Sequence, residues 1–164
     1  MSNSLVVRRI VDNDRPAMKE FLKEHWGESR LVTSYSEHEG SCLPGFIVYQ
    51  DGYIVGLLTY NIIDEACELA SINSTMTGRG IGSMMLRSLE DEATQAGCQR
   101  IWAITTNDNL QALRFYQKRG YRMKAVFENS IEGLRERKPS IPLISEEGIP
   151  LLSEIEVEKR LDPK

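Results

Sequence analysis

Several things are scarce in this 164-residue chain, and each scarcity excludes something. Its three cysteines, Cys42, Cys67 and Cys98, are odd in number, far apart and without a CxxC pair. They read as reduced, buried thiols of a cytosolic protein, neither bridged nor holding zinc. With only two histidines, His25 and His38, no metal centre is expected. No apolar run approaches the roughly 20 residues that a membrane span needs. The first eleven residues alternate briefly and turn polar at Asp12-Asn13-Asp14. They have no long apolar core and no small-residue cleavage site, so they do not read as a signal peptide. A basic block is missing too, and the formal net charge is −4, which argues against general nucleic-acid binding. The expectation is a cytoplasmic protein with neither a membrane nor a nucleic-acid partner.

What is present is ordinary for a globular protein: 41% hydrophobic and 27% charged residues. The length suits one domain, 1–164, able to bury about 70% of its unfolded surface. Residues 5–11 read as a first strand. Asp12 to Pro16 starts a helix, with Pro16 in the first turn and Ala17, Phe21 and Leu22 on its apolar side. Residues 25–44 look irregular. Strands are expected at 46–50 and 53–63, joined by the two-residue hairpin signal Asp51-Gly52, and again at 66–74. A helix follows with Ile81, Met84, Met85, Leu89, Ala93 and Ala96 at helical spacing, closed by Gly97. Then come a short buried strand at 100–106, a helix capped by Asn109 and ended by Gly120, and a strand at 121–128. A charged helix at 130–138 leads into an apolar stretch punctuated by Pro139, Pro142 and Pro150, and residues 154–161 form a last strand. This order makes the fold class α/β or α+β with a mixed sheet.

The segment richest in chemistry is Thr77-Gly78-Arg79-Gly80-Ile81-Gly82-Ser83. Glycines let a backbone approach a ligand closely. The helix that follows adds unpaired N–H groups and the positive end of its dipole. Its first turn carries no Asp or Glu, so that positive end is left for an external anion such as a phosphate. A P-loop would need Gly-Lys-Ser/Thr, and no such lysine exists. A dinucleotide loop needs G-x-G-x-x-G/A and an acidic residue about 20 positions on, whereas position 98 is Cys.

Thr77-Gly78-Arg79-Gly80-Ile81-Gly82 resembles the acyl-CoA loop Q/R-x-x-G-x-G/A of the GNAT N-acetyltransferase superfamily. Downstream, Asn109-Leu110-Gln111-Ala112-Leu113-Arg114-Phe115-Tyr116-Gln117-Lys118-Arg119-Gly120-Tyr121 resembles that superfamily's second signature, N-x-x-A-x-x-F/L-Y-x-K-x-G-F/Y. The tail beyond Lys138 resembles a bacterial subset of the superfamily. This resemblance implies a GNAT-like, mostly antiparallel sheet of about seven strands flanked by helices on both faces, with an insertion at about 130–152. It implies acetyl-CoA as cosubstrate, bound by Ile72, Asn73, Ser74, the loop Thr77, Gly78, Arg79, Gly80, Ile81, Gly82 and Ser83, and Asn109 and Tyr116. Thr77 departs from the family's Gln or Arg, shortening one contact to the pyrophosphate; Arg79 either compensates or points to solvent.

Transfer to an amine sets three demands. An amine with a lysine-like pKa is neutral about once in 2,500 at pH 7, so a base is needed. The oxyanion needs N–H donors, and the departing thiolate needs a proton. Glu68 is the expected base: alternation puts it on one face with Ala66, Ala70 and Ile72, where apolar neighbours would raise its pKa. It would act directly or through water, and an exposed, solvated carboxylate is the competing reading. The resemblance makes Tyr116 the acid, places the backbone N–H near Ile72 at the thioester carbonyl and pairs Ile72 to Ser74 with pantetheine. A core tyrosine and a plain helix N-cap are the competing readings for Tyr116 and Asn109. The acceptor region is expected around Trp26, Arg30, Tyr35, His38 and the proline-rich stretch, with no role assigned to any of them. Residues 141–152 are compatible with a lid, a homodimer contact or a packed loop. The function expected is acetyl transfer from acetyl-CoA to a small-molecule or peptide amine, and the alternative is a non-catalytic acyl-CoA sensor.

Overall fold

The computed structural model describes residues 4–162. In chain order they form β1 (Arg8–Arg9), α1 (Arg15–Trp26), β2 (Arg30–Val32), β3 (Glu37–Glu39), β4 (Gly45–Gln50), β5 (Tyr53–Ile63) and β6 (Ala66–Ser74). Then follow α2 (Ile81–Gln95), β7 (Arg100–Thr106), α3 (Leu110–Lys118), β8 (Arg122–Phe127), α4 (Ser130–Arg137) and β9 (Glu154–Arg160). Seven strands make a mostly antiparallel sheet, and β2 pairs separately with β3. Two compact units divide the chain. One takes residues up to Leu31, His38–Ile101 and the end from Leu161; the other takes Val32–Glu37 and Trp102–Arg160.

In the first unit β1, β4, β5 and β6 run antiparallel in that order. The β4–β5 turn is Asp51-Gly52, both residues at positive φ (53° and 82°), as the tightest hairpins require. Residues directly opposite each other share a face, so the register sorts the sheet into two sides. Ile47 and Leu57 face α1 and join Met18, Phe21, Leu22, Leu31 and Leu43 in one buried cluster. Gly56 faces α2: a Cβ there would stand 2.5 Å from Ile81 Cγ2 and 3.3 Å from Met85. Helices therefore cover both sides of this part of the sheet, as expected. Gly45 answers a different demand, since a Cβ there would lie 1.8 Å from the Leu58 carbonyl oxygen.

A bulge in β6 changes which residues look which way. Thr59 pairs with Ser71 but Tyr60 pairs with Leu69, so Ala70 is an extra residue. A bulge resets the alternation beyond it. Glu68, opposite Asn61, and Ala70 lie on the α1 side, where Ala70 packs on the cluster. Ile72, opposite Leu58, turns to the α2 side. The expected common face of Ala66, Glu68, Ala70 and Ile72 is thus corrected: Ile72 leaves it, while Ser71 and Asn73 join it.

Two further expectations are corrected. Of the strand expected over 5–11, only Arg8 and Arg9 pair, with Ile47 and Phe46. The chain then turns because the Asp14 carboxylate accepts from Val11 N–H at 2.8 Å and from both Arg8 guanidinium nitrogens at 2.8 Å. Residues 25–44, expected to be irregular, hold β2, β3 and a 3-10 turn, Gly40–Cys42. The strand Glu37-His38-Glu39 has no apolar alternation to announce it. Its far end is tied by polar contacts: Ser29 and Ser41 both donate to the Glu39 carboxylate (2.8 and 2.5 Å).

In the second unit β8 and β9 pair antiparallel, Arg122 opposite Glu158 and Phe127 opposite Glu154. Helix α4, charged in sequence, buries Ile131 and Leu134 against Leu151, with Val32 and Ile141 packed around them. The proline-rich stretch is a mostly exposed loop, with Leu151 its buried residue, and hydrogen bonds hold it. The Arg135 guanidinium donates to the carbonyls of Ile141, Pro142 and Leu151 (3.3, 2.8 and 3.0 Å). Asn107 donates to Pro150 O and accepts from the backbone of Leu152 and Ser153. The tip of the β2–β3 ribbon belongs here as well. Buried Glu154 accepts from the Ser34 backbone N–H at 3.1 Å and from its hydroxyl, Arg137 donates to Thr33 O at 2.7 Å, and the Tyr35 and Phe127 rings meet at 4.6 Å.

Candidate active site

The glycine loop leaves β6 after Ser74, whose hydroxyl accepts from Met76 N–H. Gly78 and Gly80 both take positive φ, 76° and 72°. A Cβ at either would meet nothing within 4 Å. Their requirement is therefore conformational, and the space beside them is open. Gly80 caps α2, its carbonyl accepting the first helical bond from Met84 N–H, and the first turn contains no acidic residue. Thr77, Gly78, Arg79 and Gly80 are exposed, and Gly82 and Ser83 half-buried. Ile81 is buried and anchors the helix start against the sheet. The result is an exposed backbone cradle at a helix N-terminus, which can hold an anion through N–H groups.

On the α1 side of β6 the structure joins residues that are far apart in sequence. Glu68 is buried, and its carboxylate Oε1 lies 2.8 Å from His38 Nε2 on β3. Three positions past the bulge, the Asn73 side-chain oxygen accepts from Trp26 Nε1–H at 2.6 Å. Asn73 thus presents its side-chain oxygen to α1. Sequence reasoning gave His38 and Trp26 no role. Thirty residues separate His38 from Glu68, and a lone histidine between two glutamates on a short ribbon carries no signal that names its partner.

The second unit carries the other signature. Asn109 caps α3, its side-chain oxygen accepting from Ala112 N–H at 3.2 Å. Tyr116 is buried beside Tyr121 and Phe115, ring centroids 5.6 Å away in each case. Burial pushes its phenol well above the ordinary tyrosine value, so it stays protonated at any working pH. Its hydroxyl makes no hydrogen bond among the described residues, and since no fully buried side-chain oxygen among them is unpaired, the hydroxyl tip itself reaches solvent, where its proton is available to a ligand. Arg114 and Lys118, on the same helix, are exposed.

The cysteine expectation holds for two of three. Cys67 and Cys98 are buried free thiols, and burial pushes Cys67 up to about 12. Cys42 is exposed in the 3-10 turn, which buries Gly40 and Ser41 instead.

Comparison with known proteins decides the family. The model of the acetyltransferase (GNAT) family matches residues 9–121, from β1 through Tyr121. The chain belongs to the GNAT acetyltransferase family. The uncharacterized protein YdhI of Bacillus subtilis is 42% identical over 157 residues, covering 93% of this chain and 98% of that protein. Among solved structures, an IAA acetyltransferase from Bacillus cereus superposes with a TM-score of 0.73 at 22% identity, over 96% of this chain and all of that one. A GNAT-family acetyltransferase from Elizabethkingia anophelis, solved with acetyl-CoA bound, gives 0.66 at 18% identity, over 98% and 100%. Both share the fold. This GNAT chain is accordingly an acyltransferase with a seven-stranded, mostly antiparallel sheet. Among its described residues no helix is long and apolar enough to cross a membrane.

Proposed function

We propose that the chain transfers the acetyl group of acetyl-CoA to a primary amine of a small molecule or peptide, by direct attack of the amine on the thioester. The observation that carries this reading is the exposed cradle at Gly78–Gly80, capping a helix whose first turn has no carboxylate. It suits the CoA pyrophosphate, with Thr77, Arg79, Ile81, Gly82 and Ser83 around it and the backbone of Ile72 to Ser74 leading to the thioester. Asn109 contacts the cofactor from α3. Tyr116 protonates the departing thiolate, a role supported by its protonated phenol and by its place in the second signature. Glu68, a buried carboxylate, serves deprotonation of the amine. We read 1–164 as one domain of the family and as cytoplasmic.

The test is CoA-thiol release from acetyl-CoA against a panel of polyamines, aryl amines, aminoglycosides and N-terminal peptides. Turnover with one class, cut about 10²-fold or more by Tyr116→Phe, supports the reading. Tight acetyl-CoA binding without turnover on any amine selects the second reading, an acyl-CoA sensor. The short Thr77 at the loop start favours that alternative.

A further inference from the structure

His38 is the more exposed member of its pair with Glu68: the two side chains are 18% and 8% accessible. Glu68 Oε1 meets His38 Nε2, and His38 Nδ1 makes no hydrogen bond among the described residues. No buried nitrogen or oxygen of the described side chains lacks a partner, so Nδ1 is open to solvent. An ionised carboxylate only accepts hydrogen bonds. The neutral ring beside it must therefore carry its hydrogen on Nε2, which leaves the Nδ1 lone pair as the outward-facing basic atom of the pair. A carboxylate that fixes a histidine tautomer and stabilises the imidazolium is a known way to build a base.

From this geometry we propose that Glu68 serves deprotonation through His38. Nδ1 of His38 takes the amine proton, and Glu68 is a positioning residue that holds the ring and its tautomer. The inference rests on the proposed acetyl transfer and deepens it. In the step, the acceptor ammonium gives one proton to Nδ1, and the freed lone pair forms the C–N bond. Collapse of the tetrahedral adduct breaks the C–S bond, and the thiolate takes the Tyr116 proton. The second proton on nitrogen restores the phenol, and the imidazolium gives its proton to water. The sum is ammonium plus acetyl-CoA going to amide, CoA thiol and one proton.

Other charged groups on the elements around His38 are already engaged. Glu39 on the same ribbon accepts from Ser29 and Ser41 and is held below its ordinary pKa. Arg30 on β2 bonds Glu28 at 3.1 Å, and Glu37 lies one position before His38, on the other side of β3 by alternation.

The experiment compares His38→Gln, His38→Asn and Glu68→Gln in the full chain, with acetyl-CoA and whichever panel amine turns over. Melting temperatures check folding. Removal of a general base costs about 10²- to 10⁴-fold in rate. Each variant is expected to lose at least about 10²-fold in kcat, with the acid limb of the kcat–pH profile absent in the His38 variants. The double variant His38→Gln/Glu68→Gln should be no more than a few-fold worse than the worse single one, as for residues that act as a unit. A His38 variant within about threefold of wild type, beside a large loss in Glu68→Gln, overturns the inference and leaves Glu68 as the direct base. If Glu68→Gln and Tyr116→Phe also keep the wild-type rate, the proposed mechanism itself fails. An independent readout needs no acceptor: imidazole 15N shifts, simple to assign with two histidines in the chain. Neutral His38 should be Nε2–H in wild type and lose that bias in Glu68→Gln; an Nδ1–H ring in wild type overturns the proposal.

Discussion

Gly80→Ala separates what the glycine loop does for the fold from what it does for a ligand. Gly80 has φ of 72°, and a Cβ there meets nothing within 4 Å. The substitution therefore introduces no clash with the protein and costs only the left-handed conformation, about 1–2 kcal/mol for an L-residue. A stiffer unfolded chain returns about half of that. The net loss of about 1 kcal/mol should lower Tm by about 2–4 °C in a domain of this size. Gly97, at the other end of α2, has φ of 83° and the same open surroundings. Gly97→Ala should thus cost the same stability. Ligand binding should tell them apart. The methyl at position 80 enters the space in which a pyrophosphate would meet the helix N–H groups, and hydrogen bonds to a charged partner contribute about 1.5–3 kcal/mol each. Loss of one contact corresponds to about 10- to 150-fold in Kd. Isothermal titration with acetyl-CoA, beside thermal melts of both variants, measures the two effects. The reasoning is refuted if Gly80→Ala binds acetyl-CoA within twofold of wild type, or if Gly97→Ala weakens binding equally.

The Arg8–Asp14 contact predicts an acid-sensitive component of stability. Asp14 is buried, and the Arg8 guanidinium holds its carboxyl down at about 2. With the folded pKa depressed, the contribution is present above the unfolded value near 3.8 and is lost as pH falls through about 4 to 2. About 1–2 kcal/mol is expected, after allowance for the half-exposed arginine. Asp14→Asn should remove that limb from urea-unfolding midpoints taken between pH 2 and 6, and an unchanged limb would assign it elsewhere. Gly45→Ala should be far more damaging than Gly80→Ala. Its Cβ would sit 1.8 Å from a backbone carbonyl that pairing holds in place, so about 3 kcal/mol or more is expected, and a midpoint shift under 1 kcal/mol would show that the strands can part cheaply. Thiol titration of the native protein with Ellman's reagent should find one fast group, Cys42, with Cys67 and Cys98 reacting at the rate of unfolding. Two fast groups would mean that one of the two buried thiols is reached by local opening.

Much of the architecture could be read from local patterns. The Asp51-Gly52 turn, the caps at Asn109 and Gly97, and the apolar spacing of α2 each depend on neighbours within a few residues, where steric and hydrogen-bond rules act directly. The two signatures lie in stretches of that kind, so the loop and Tyr116 were legible together. The ribbon β2–β3 was not, because its strands are short and polar and are held by side-chain contacts, Ser29 to Glu39 at its base and the distant Glu154 at its tip. The β6 bulge was equally hidden. Nothing in Glu68-Leu69-Ala70-Ser71 marks an extra residue, yet the pairing of Thr59 with Ser71 and Tyr60 with Leu69 moves Ile72 to the other face.

The sequence by itself determined the family, the glycine loop that opens α2 and the identity of one carboxylate and one tyrosine worth attention. These follow from residue types at fixed short spacings. Only the tertiary structure decided what surrounds them: that Glu68 is buried against His38, that Asn73 bonds Trp26, and that Asn107 holds Pro150. Each is a contact between segments that chain proximity does not bring together. Strand register, a bulge and the packing of side chains from distant segments set such contacts.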